Sequence, residues 1–200
     1  MRKFYVLISL LVMGLFLTGC DSIESYKGTI EQVIQHKVES QDDKETSENV
    51  EFVEVTVSRV IDGDTFEIEG QHKVRLIGIN TPESTNKQEL YGKEASAFTK
   101  SQLEGKTVYL QKDVSEADRY GRLLRYVWLE KPTDPHNENE IRRKMFNAII
   151  VQEGYAQPST YPPDVTYSEY FVKFAREARE QGVGLWQYGK DGTTKGDDID

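Results

Sequence analysis

The feature that most constrains the fold is a set of three short runs in which apolar and polar residues alternate. Residues 56–61 and 65–69 are rich in β-branched side chains and flank the triplet Asp62-Gly63-Asp64. Alternation with a period of two predicts strands, and an Asp-Gly pair between two such runs predicts a tight hairpin turn. A third run, over residues 72–79, alternates again and is broken at Asn80-Thr81-Pro82. The sequence therefore predicts three consecutive strands of a twisted sheet.

Two polar residues lie where these predicted strands begin or end. Asp64 starts the second strand, and Asn80 follows the third. In a twisted sheet these side chains can lie side by side at one rim, where they would offer the hard oxygen atoms that Ca²⁺ prefers. The alternative is ordinary turn chemistry, because Asp-Gly and Asn-Thr-Pro are also common turn sequences. The local pattern alone leaves both interpretations open.

The chain beyond this region predicts two more strands and about three helices. The strands are predicted over residues 107–111 and 123–129, and the helices over residues 92–104, 145–153 and 167–181. The apolar positions of the last helix have the spacing of a buried face, namely Phe171, Phe174, Ala175 and Ala178. The polar, proline-containing segment 130–143 predicts an exposed loop. The fold class is therefore α+β with five short strands.

Five sequence segments, in this order, resemble the staphylococcal nuclease family. They are VIDGDTFEIEGQHKVRLIGINTPE (60–83), YGKEASAFTK (91–100), DRYGRLLRYV (118–127), GYA (154–156) and GLW (184–186). The resemblance covers roughly residues 53–188, and five segments in order are far more specific than any one of them. It implies a five-stranded OB-fold β-barrel and a hydrolase that acts on phosphodiester bonds of DNA and RNA.

The resemblance also implies a Ca²⁺ site. Asp64 and the backbone carbonyl of Thr81 match metal ligands of the family, and Asp62 matches an outer-shell residue. Asn80 departs from the family pattern, which has an aspartate as a further ligand at this position. Because Asn offers a neutral oxygen instead of a carboxylate, we expect weaker metal binding or altered metal preference, with activity retained.

Three further residues match the catalytic groups of the family. Glu83 matches the proposed general base toward water, and Arg75 and Arg122 match the arginines that bind the phosphate. Glu83 has an alternative role as a turn-stabilising residue after Pro82. An arginine at position 75, inside an otherwise apolar strand, is hard to explain by packing.

Three residues match positions that bind the rest of the substrate. Arg119 and Tyr120 correspond to contacts with a terminal phosphate, and Tyr161 corresponds to a tyrosine of the base pocket. Stacking on aromatic rings tolerates any base, which suits broad specificity. Packing of Tyr161 against the last helix is the alternative.

The N-terminus has the pattern of an exported lipoprotein. Residues 1–19 combine Arg2-Lys3 with an apolar run too short to span a membrane, which predicts a signal peptide. Leu17-Thr18-Gly19-Cys20 resembles a lipobox, which implies diacylation of Cys20, the only cysteine. The alternative is a secreted protein with a chance cysteine. Acidic residues 20–50 predict a solvated tether to a domain at 51–188, and Gly- and Asp-rich residues 189–200 predict a flexible tail.

Charge and composition limit the functions that remain. The formal net charge is −9, which argues against bulk electrostatic capture of nucleic acid. The three histidines are scattered without zinc-ligand spacing, and no P-loop is present. The resemblance therefore implies a monomeric, Ca²⁺-dependent nuclease, and the N-terminal pattern predicts that it is lipid-anchored to the cell membrane on its extracytoplasmic side. The alternative is an OB-type surface module that binds nucleic acid or protein without cleaving it.

Overall fold

A closed five-stranded barrel forms the centre of the protein. The computed structural model describes residues 50–85 and 88–200. The barrel strands are β1 (Phe52–Asp62), β2 (Thr65–Ile68), β3 (Lys73–Leu76), β5 (Thr107–Gln111) and β6 (Leu123–Trp128). They are hydrogen-bonded in the order β1-β2-β3-β6-β5, and β4 (Ile79–Asn80) pairs separately with β7 (Gln157–Pro158). The predicted α+β barrel is confirmed.

Four α-helices accompany the strands in the described part of the chain. They are α1 (Gly92–Leu103), α2 (Glu138–Lys144), α3 (Phe146–Gln152) and α4 (Ser168–Glu180). Helix α2 was not predicted, because its segment reads as a polar loop. Its stability comes from the Asn137 side chain, which caps the first turn, and from ion pairs four residues apart.

Strand β1 belongs to both halves of the barrel. Its first half pairs with β5, from Phe52 opposite Gln111 to Thr56 opposite Thr107. Its second half pairs with β2, and the register shifts twice there. Such irregularities increase twist and bend a strand, which allows one strand to turn the corner of a small barrel.

The parallel pairing of β3 with β6 closes the barrel and determines where the arginines lie. Arg75 is opposite Thr65 on β2 and opposite Leu124 on β6. Arg122 immediately precedes β6, so it lies beside the start of β2 although it is far away in sequence.

The third predicted strand is interrupted. Residues 77–78 form a turn between β3 and β4, and Gly78 has a φ of 75°. A side chain at Gly78 would also collide with the ring of Phe171 in α4, because an added Cβ would lie 2.7 Å from it. The turn redirects the chain, so that Asn80 lies on a different sheet from Arg75.

The core is continuous between the barrel and the helices. Phe171, Phe174, Ala175 and Ala178 are all buried, as predicted for the inner face of the last helix. Buried Asn147 on α3 joins the two layers, since its Oδ1 accepts from Val127 N (2.9 Å) and its Nδ2 donates to Ile77 O (2.9 Å).

The C-terminal residues contact the domain. Asp197 N donates to Pro158 O (2.8 Å), and the Asp197 carboxylate accepts from Thr160 N (2.9 Å). Ile199 is buried, and Asp200 pairs with Arg179. The composition of residues 189–200 predicts a flexible tail, and it cannot reveal that acceptors on β7 are available for this segment.

The described residues do not include three predicted features of the N-terminus. These are the signal peptide (1–19), the lipidation site Cys20 and nearly all of the acidic tether (20–50). Within residues 50–85 and 88–200, no helix has both the length and the apolar character needed to cross a membrane.

Asn147→Leu is expected to lower the free energy of unfolding by about 2–5 kcal/mol. The substitution leaves the buried Val127 N–H and Ile77 C=O without partners, and each such group costs about 1–3 kcal/mol. Chemical denaturation measures the change. The matched control, Asn139→Leu at an exposed position of α2, should change stability by about 0.5 kcal/mol or less. Equal effects of the two substitutions would show that the buried amide does not join the layers.

Candidate active site

A polar cavity of about 290 Å³ lies at the rim of the barrel. Its lining includes the four residues on which the predicted chemistry depends, Asp64, Arg75, Glu83 and Arg122. Asp62, Asn80 and Thr81 line the same cavity. The structure therefore brings together the predicted catalytic and metal-binding residues, which come from four separate chain segments.

Asp64 is the most buried acidic group of the cavity, with 7% of its surface exposed. Its Oδ1 accepts from the Thr65 hydroxyl (2.9 Å), and its Oδ2 accepts from the backbone N–H and hydroxyl of Thr81 (3.2 Å each). Close approach of the two segments requires a glycine at position 63, because an added Cβ would lie 2.5 Å from the Thr81 hydroxyl. These contacts fix the orientation of the carboxylate.

Arg75 is held by partners around its guanidinium. Its Nη1 donates to the carbonyls of Leu76 (2.7 Å) and Ile79 (2.9 Å). Its Nη2 donates to Asn80 Oδ1 (3.1 Å) and forms an ion pair with Asp64 Oδ2 (3.1 Å). A guanidinium fixed in this way loses little entropy when it binds an anion.

Arg122 is oriented by Asp118 at the start of the same turn. The Asp118 carboxylate accepts from Arg122 Nε (2.7 Å) and from the Arg122 backbone N–H (3.0 Å). Burial opposes ionisation of Asp118, but the hydrogen bonds from Arg122 outweigh it and lower its pKa. Asp118 therefore stays ionised and keeps the arginine at the cavity.

Glu83 is an ionised carboxylate at the mouth of the cavity. Its Oε1 accepts from the hydroxyl (2.5 Å) and backbone N–H (2.8 Å) of Thr85, which lowers the pKa of Glu83. Its backbone N–H donates to Glu89 Oε2 (3.1 Å). The start of α1 packs directly against it, because a Cβ at Gly92 would lie 2.3 Å from the Glu83 carbonyl.

Asp62 is a second acidic group whose ionisation is opposed by its surroundings. Burial, together with the nearby charge of Asp64, raises the pKa of Asp62 to about 6. Its Oδ1 accepts from Ser84 Oγ (2.6 Å) and Gly63 N (2.8 Å). The cavity therefore concentrates negative charge that a bound cation would offset.

The Asn80 side chain is engaged at both ends. Its Oδ1 accepts from Arg75, and its Nδ2 donates to Thr194 Oγ1 (2.9 Å) and Lys195 O (3.2 Å). An amide oxygen has two lone pairs, so one remains for another partner.

The cavity contains oxygen donors of the kind that Ca²⁺ prefers. Hard oxygen donors are available from Asp64, Asn80 and Thr81, with Asp62 and Glu83 close enough to line the same cavity. Within the described part of the chain, no group of three or more His, Cys, Asp or Glu side chains is placed to hold a metal by itself. A cation here would keep several water ligands.

A second, larger cavity adjoins the first. Its volume is about 510 Å³, and it shares Arg75 and Arg122 with the polar cavity. Tyr120 and Tyr161 line it and are 68% and 74% exposed. The Arg119 guanidinium lies 4.7 Å from the centre of the Tyr120 ring. The exposure of Tyr161 shows that it does not serve as a core residue beneath the last helix.

The sequence did not predict five polar residues that line the polar cavity or orient its arginines: Thr65, Glu89, Asp118, Thr194 and Lys195. Asp118 had a usable signal, because an aspartate that opens a predicted turn can accept hydrogen bonds from the backbone of that turn, as it does here from Tyr120 N and Arg122 N. Thr194 and Lys195 had no such signal, since the tail reaches the cavity only through tertiary contacts.

The clustered basic residues Arg142 and Lys144 lie outside both cavities. They pair with Glu177 and Glu140 respectively.

Comparison with known proteins gives one family match and several relatives. Residues 73–188 match the family described as staphylococcal nuclease homologue. The chain is 37% identical over 150 residues to a thermonuclease of Staphylococcus intermedius, covering 72% of this chain and 82% of that one. It is 38% identical over 136 residues to a thermonuclease of Staphylococcus hyicus, covering 65% and 73% of the two chains. An SPbeta prophage-derived endonuclease, YokF, of Bacillus subtilis is 29% identical over 144 residues, which cover 68% of this chain and 45% of the relative.

Asp62→Asn is expected to stabilise the metal-free protein at neutral pH. Folding raises the pKa of Asp62 to about 6, so the folded state favours the protonated carboxyl. The stability that this protonation provides is fully present at a pH below the ordinary pKa of an aspartate, and it is lost as the pH rises through 6. After a discount for solvent screening of this partly exposed carboxylate, the substitution should raise the free energy of unfolding by on the order of 1–2 kcal/mol at pH 7.5, and the gain should shrink at pH 4. Denaturation in chelator at both pH values measures this.

The matched control is Asp134→Asn, since Asp134 accepts a hydrogen bond from His136 N in an exposed turn. A stability gain in Asp62→Asn of equal size at both pH values would contradict the electrostatic explanation.

Proposed function

This chain belongs to the staphylococcal nuclease family and is a phosphodiesterase of the nuclease type, and we propose that it hydrolyses DNA, and RNA as well, in a Ca²⁺-dependent reaction. The observation that carries the proposal is the convergence of Asp64, Arg75, Glu83 and Arg122 on one cavity. The thermonuclease and endonuclease relatives support the same reaction class.

The two arginines are suited to bind the reacting phosphate. Arg75 and Arg122 line the same cavity, and each is fixed by a carboxylate behind it, Asp64 and Asp118 respectively. Planar guanidinium groups donate paired hydrogen bonds to phosphate oxygens and offset the charge that grows there in the transition state. When bound, a Ca²⁺ ion would supply further positive charge to a phosphate oxygen.

Glu83 is suited to accept the proton of the attacking water. It is ionised, it lines the cavity and its carboxylate is oriented by Thr85. The water oxygen forms a bond to phosphorus while the bond to the departing sugar oxygen breaks. One water proton passes to Glu83, and the departing oxygen takes a proton from solvent. Positioning of the water and the phosphate together supplies much of the rate.

The adjoining cavity is suited to the nucleoside part of the substrate. It begins at Arg75 and Arg122 and carries the exposed rings of Tyr120 and Tyr161. Aromatic faces stack on any base, so this arrangement favours cleavage with little sequence preference.

The second candidate function is a surface module that binds nucleic acid without cleaving it. Asn80 favours it, because a neutral amide replaces one negative metal ligand and its oxygen already accepts from Arg75. Binding without cleavage in the presence of every metal tested would support this alternative.

Glu83→Gln and Arg122→Lys are each expected to lower kcat/KM by about 10²–10⁴-fold. The first removes the proton acceptor, and the second removes paired donation to the phosphate. Cleavage of single-stranded and duplex DNA by the purified protein, with Ca²⁺ or with chelator, measures the effect, and chelator should abolish wild-type cleavage. The matched controls are Glu69→Gln and Arg143→Lys, both at exposed positions outside the two cavities. Undiminished cleavage by Glu83→Gln would remove the general-base role.

We also propose that the enzyme is anchored to the cell membrane through Cys20 and faces the extracytoplasmic side. The sequence Leu17-Thr18-Gly19-Cys20 after an apolar segment supports this. Two acyl chains on one cysteine give the double anchor that stable attachment requires.

Cys20→Ser is expected to abolish incorporation of a labelled fatty acid into the protein in cells. The thiol is the acylated group, and the serine hydroxyl does not replace it. Ser22→Ala, outside the lipobox pattern, is the control and should incorporate label like the wild type. Label retained in Cys20→Ser would rule out Cys20 as the anchor.

A further inference from the structure

The C-terminal segment forms part of the wall of the polar cavity. Thr194 and Lys195 line the cavity together with Arg75, Asn80 and Arg122. They come from the end of the chain, beyond the last helix and beyond the matched family region, which ends at residue 188. The segment that carries them is hydrogen-bonded to the domain at Thr194 and again at Asp197.

Asn80 attaches this segment to the site. Its Nδ2 donates to Thr194 Oγ1 and to the Lys195 carbonyl, while its Oδ1 accepts from Arg75. The reverse orientation would place the NH₂ group against a guanidinium and the oxygen against a carbonyl, so the hydrogen bonds define the orientation. A carboxylate at position 80 has no N–H to donate to the Lys195 carbonyl. The amide at this position is therefore the group that holds the tail.

A second attachment follows immediately in sequence. Asp197 N donates to Pro158 O (2.8 Å), and its carboxylate accepts from Thr160 N (2.9 Å). Ile199 is buried against the domain, and Arg176 Nε donates to its carbonyl (2.6 Å). Lys195 thus lies between two fixed points, and its backbone is confined to the rim of the cavity.

The Lys195 side chain is available for a ligand. The residue is exposed, and none of the ion pairs between described residues includes it. Other cations near the cavity already have carboxylate partners, as Arg75 has Asp64 and Arg122 has Asp118. An ammonium on a flexible stem can reach a phosphate as a point charge without fixed geometry.

We infer that Lys195 is a substrate-binding residue, held at the active-site cavity by the Asn80 side chain, and that it contacts a backbone phosphate of the bound nucleic acid strand. The inference rests on the proposed nuclease function, because that function defines the substrate. It adds the end of the chain to the active site and gives Asn80 a role besides metal binding.

The test is binding of a fluorescent single-stranded oligonucleotide to the full chain in chelator, over a series of salt concentrations. Lys195→Ala and Lys195→Gln should each weaken binding by about 3–10-fold at low salt. Each should also reduce the slope of log affinity against log salt by about 0.7, the value for loss of one phosphate contact on a single strand. The matched control is Lys190→Ala, an exposed lysine of the same segment that lies outside the cavity lining.

Three outcomes decide the matter. A reduced slope in both Lys195 variants, but not in Lys190→Ala, supports the inference. A wild-type affinity and slope in the Lys195 variants, or an equal reduction of the slope in Lys190→Ala, overturns the inference. If the wild type cleaves DNA with Ca²⁺, that result leaves the nuclease function intact. A wild-type protein that neither binds nor cleaves overturns the proposed function, and the inference with it.

Discussion

The parallel pairing of β3 with β6 is the constraint on which the site depends. It places Leu124 opposite Arg75, so the turn before β6 delivers Arg122 to the same rim as the start of β2. The ion pair between Arg75 and Asp64 (3.1 Å) then ties that rim together across two strands. Without closure of the barrel, the residues from four chain segments would have no common cavity. A closed barrel also leaves little freedom for the strands to slide, because a slip of one residue would turn every side chain to the other face.

The cavity is built at the expense of stability. Burial raises the pKa of Asp62 to about 6, and the nearby charge of Asp64 adds to the effect. Arg75 pairs with Asp64, whereas Arg122 pairs with Asp118, so neither arginine pairs with Asp62. Electrostatic conflict of this kind is typical of functional sites, where groups are arranged for a ligand and not for the empty fold. In the proposed function, a bound cation would offset the remaining negative charge of the cavity.

Much of the fold was predictable because local pattern and tertiary structure agree. Strand β5 and the helices α1, α3 and α4 follow the expected periodicities closely. The interruption at residues 77–78 was not predicted, because alternation of apolar residues does not reveal the positive φ of Gly78 or the close approach of the Phe171 ring to it. Helix α2 was missed because one buried residue, Ile141, and several ion pairs stabilise it in place of a wide apolar face. For the site, the predicted residues come from motifs, whereas Lys195 is placed by hydrogen bonds that no motif encodes.

The distribution of charge explains how an acidic chain can act on a polyanion. The formal net charge of −9 repels nucleic acid at long range. Screening at physiological salt shortens that repulsion to about 8 Å, so a substrate that reaches the rim responds mainly to the local groups. There it meets Arg75, Arg119 and Arg122, with Lys195 on the wall, beside exposed aromatic rings. Attraction confined to the cavity favours contact with the few phosphates being processed over retention along the whole polymer. Such an enzyme depends on short-range contacts for the affinity that its net charge does not provide.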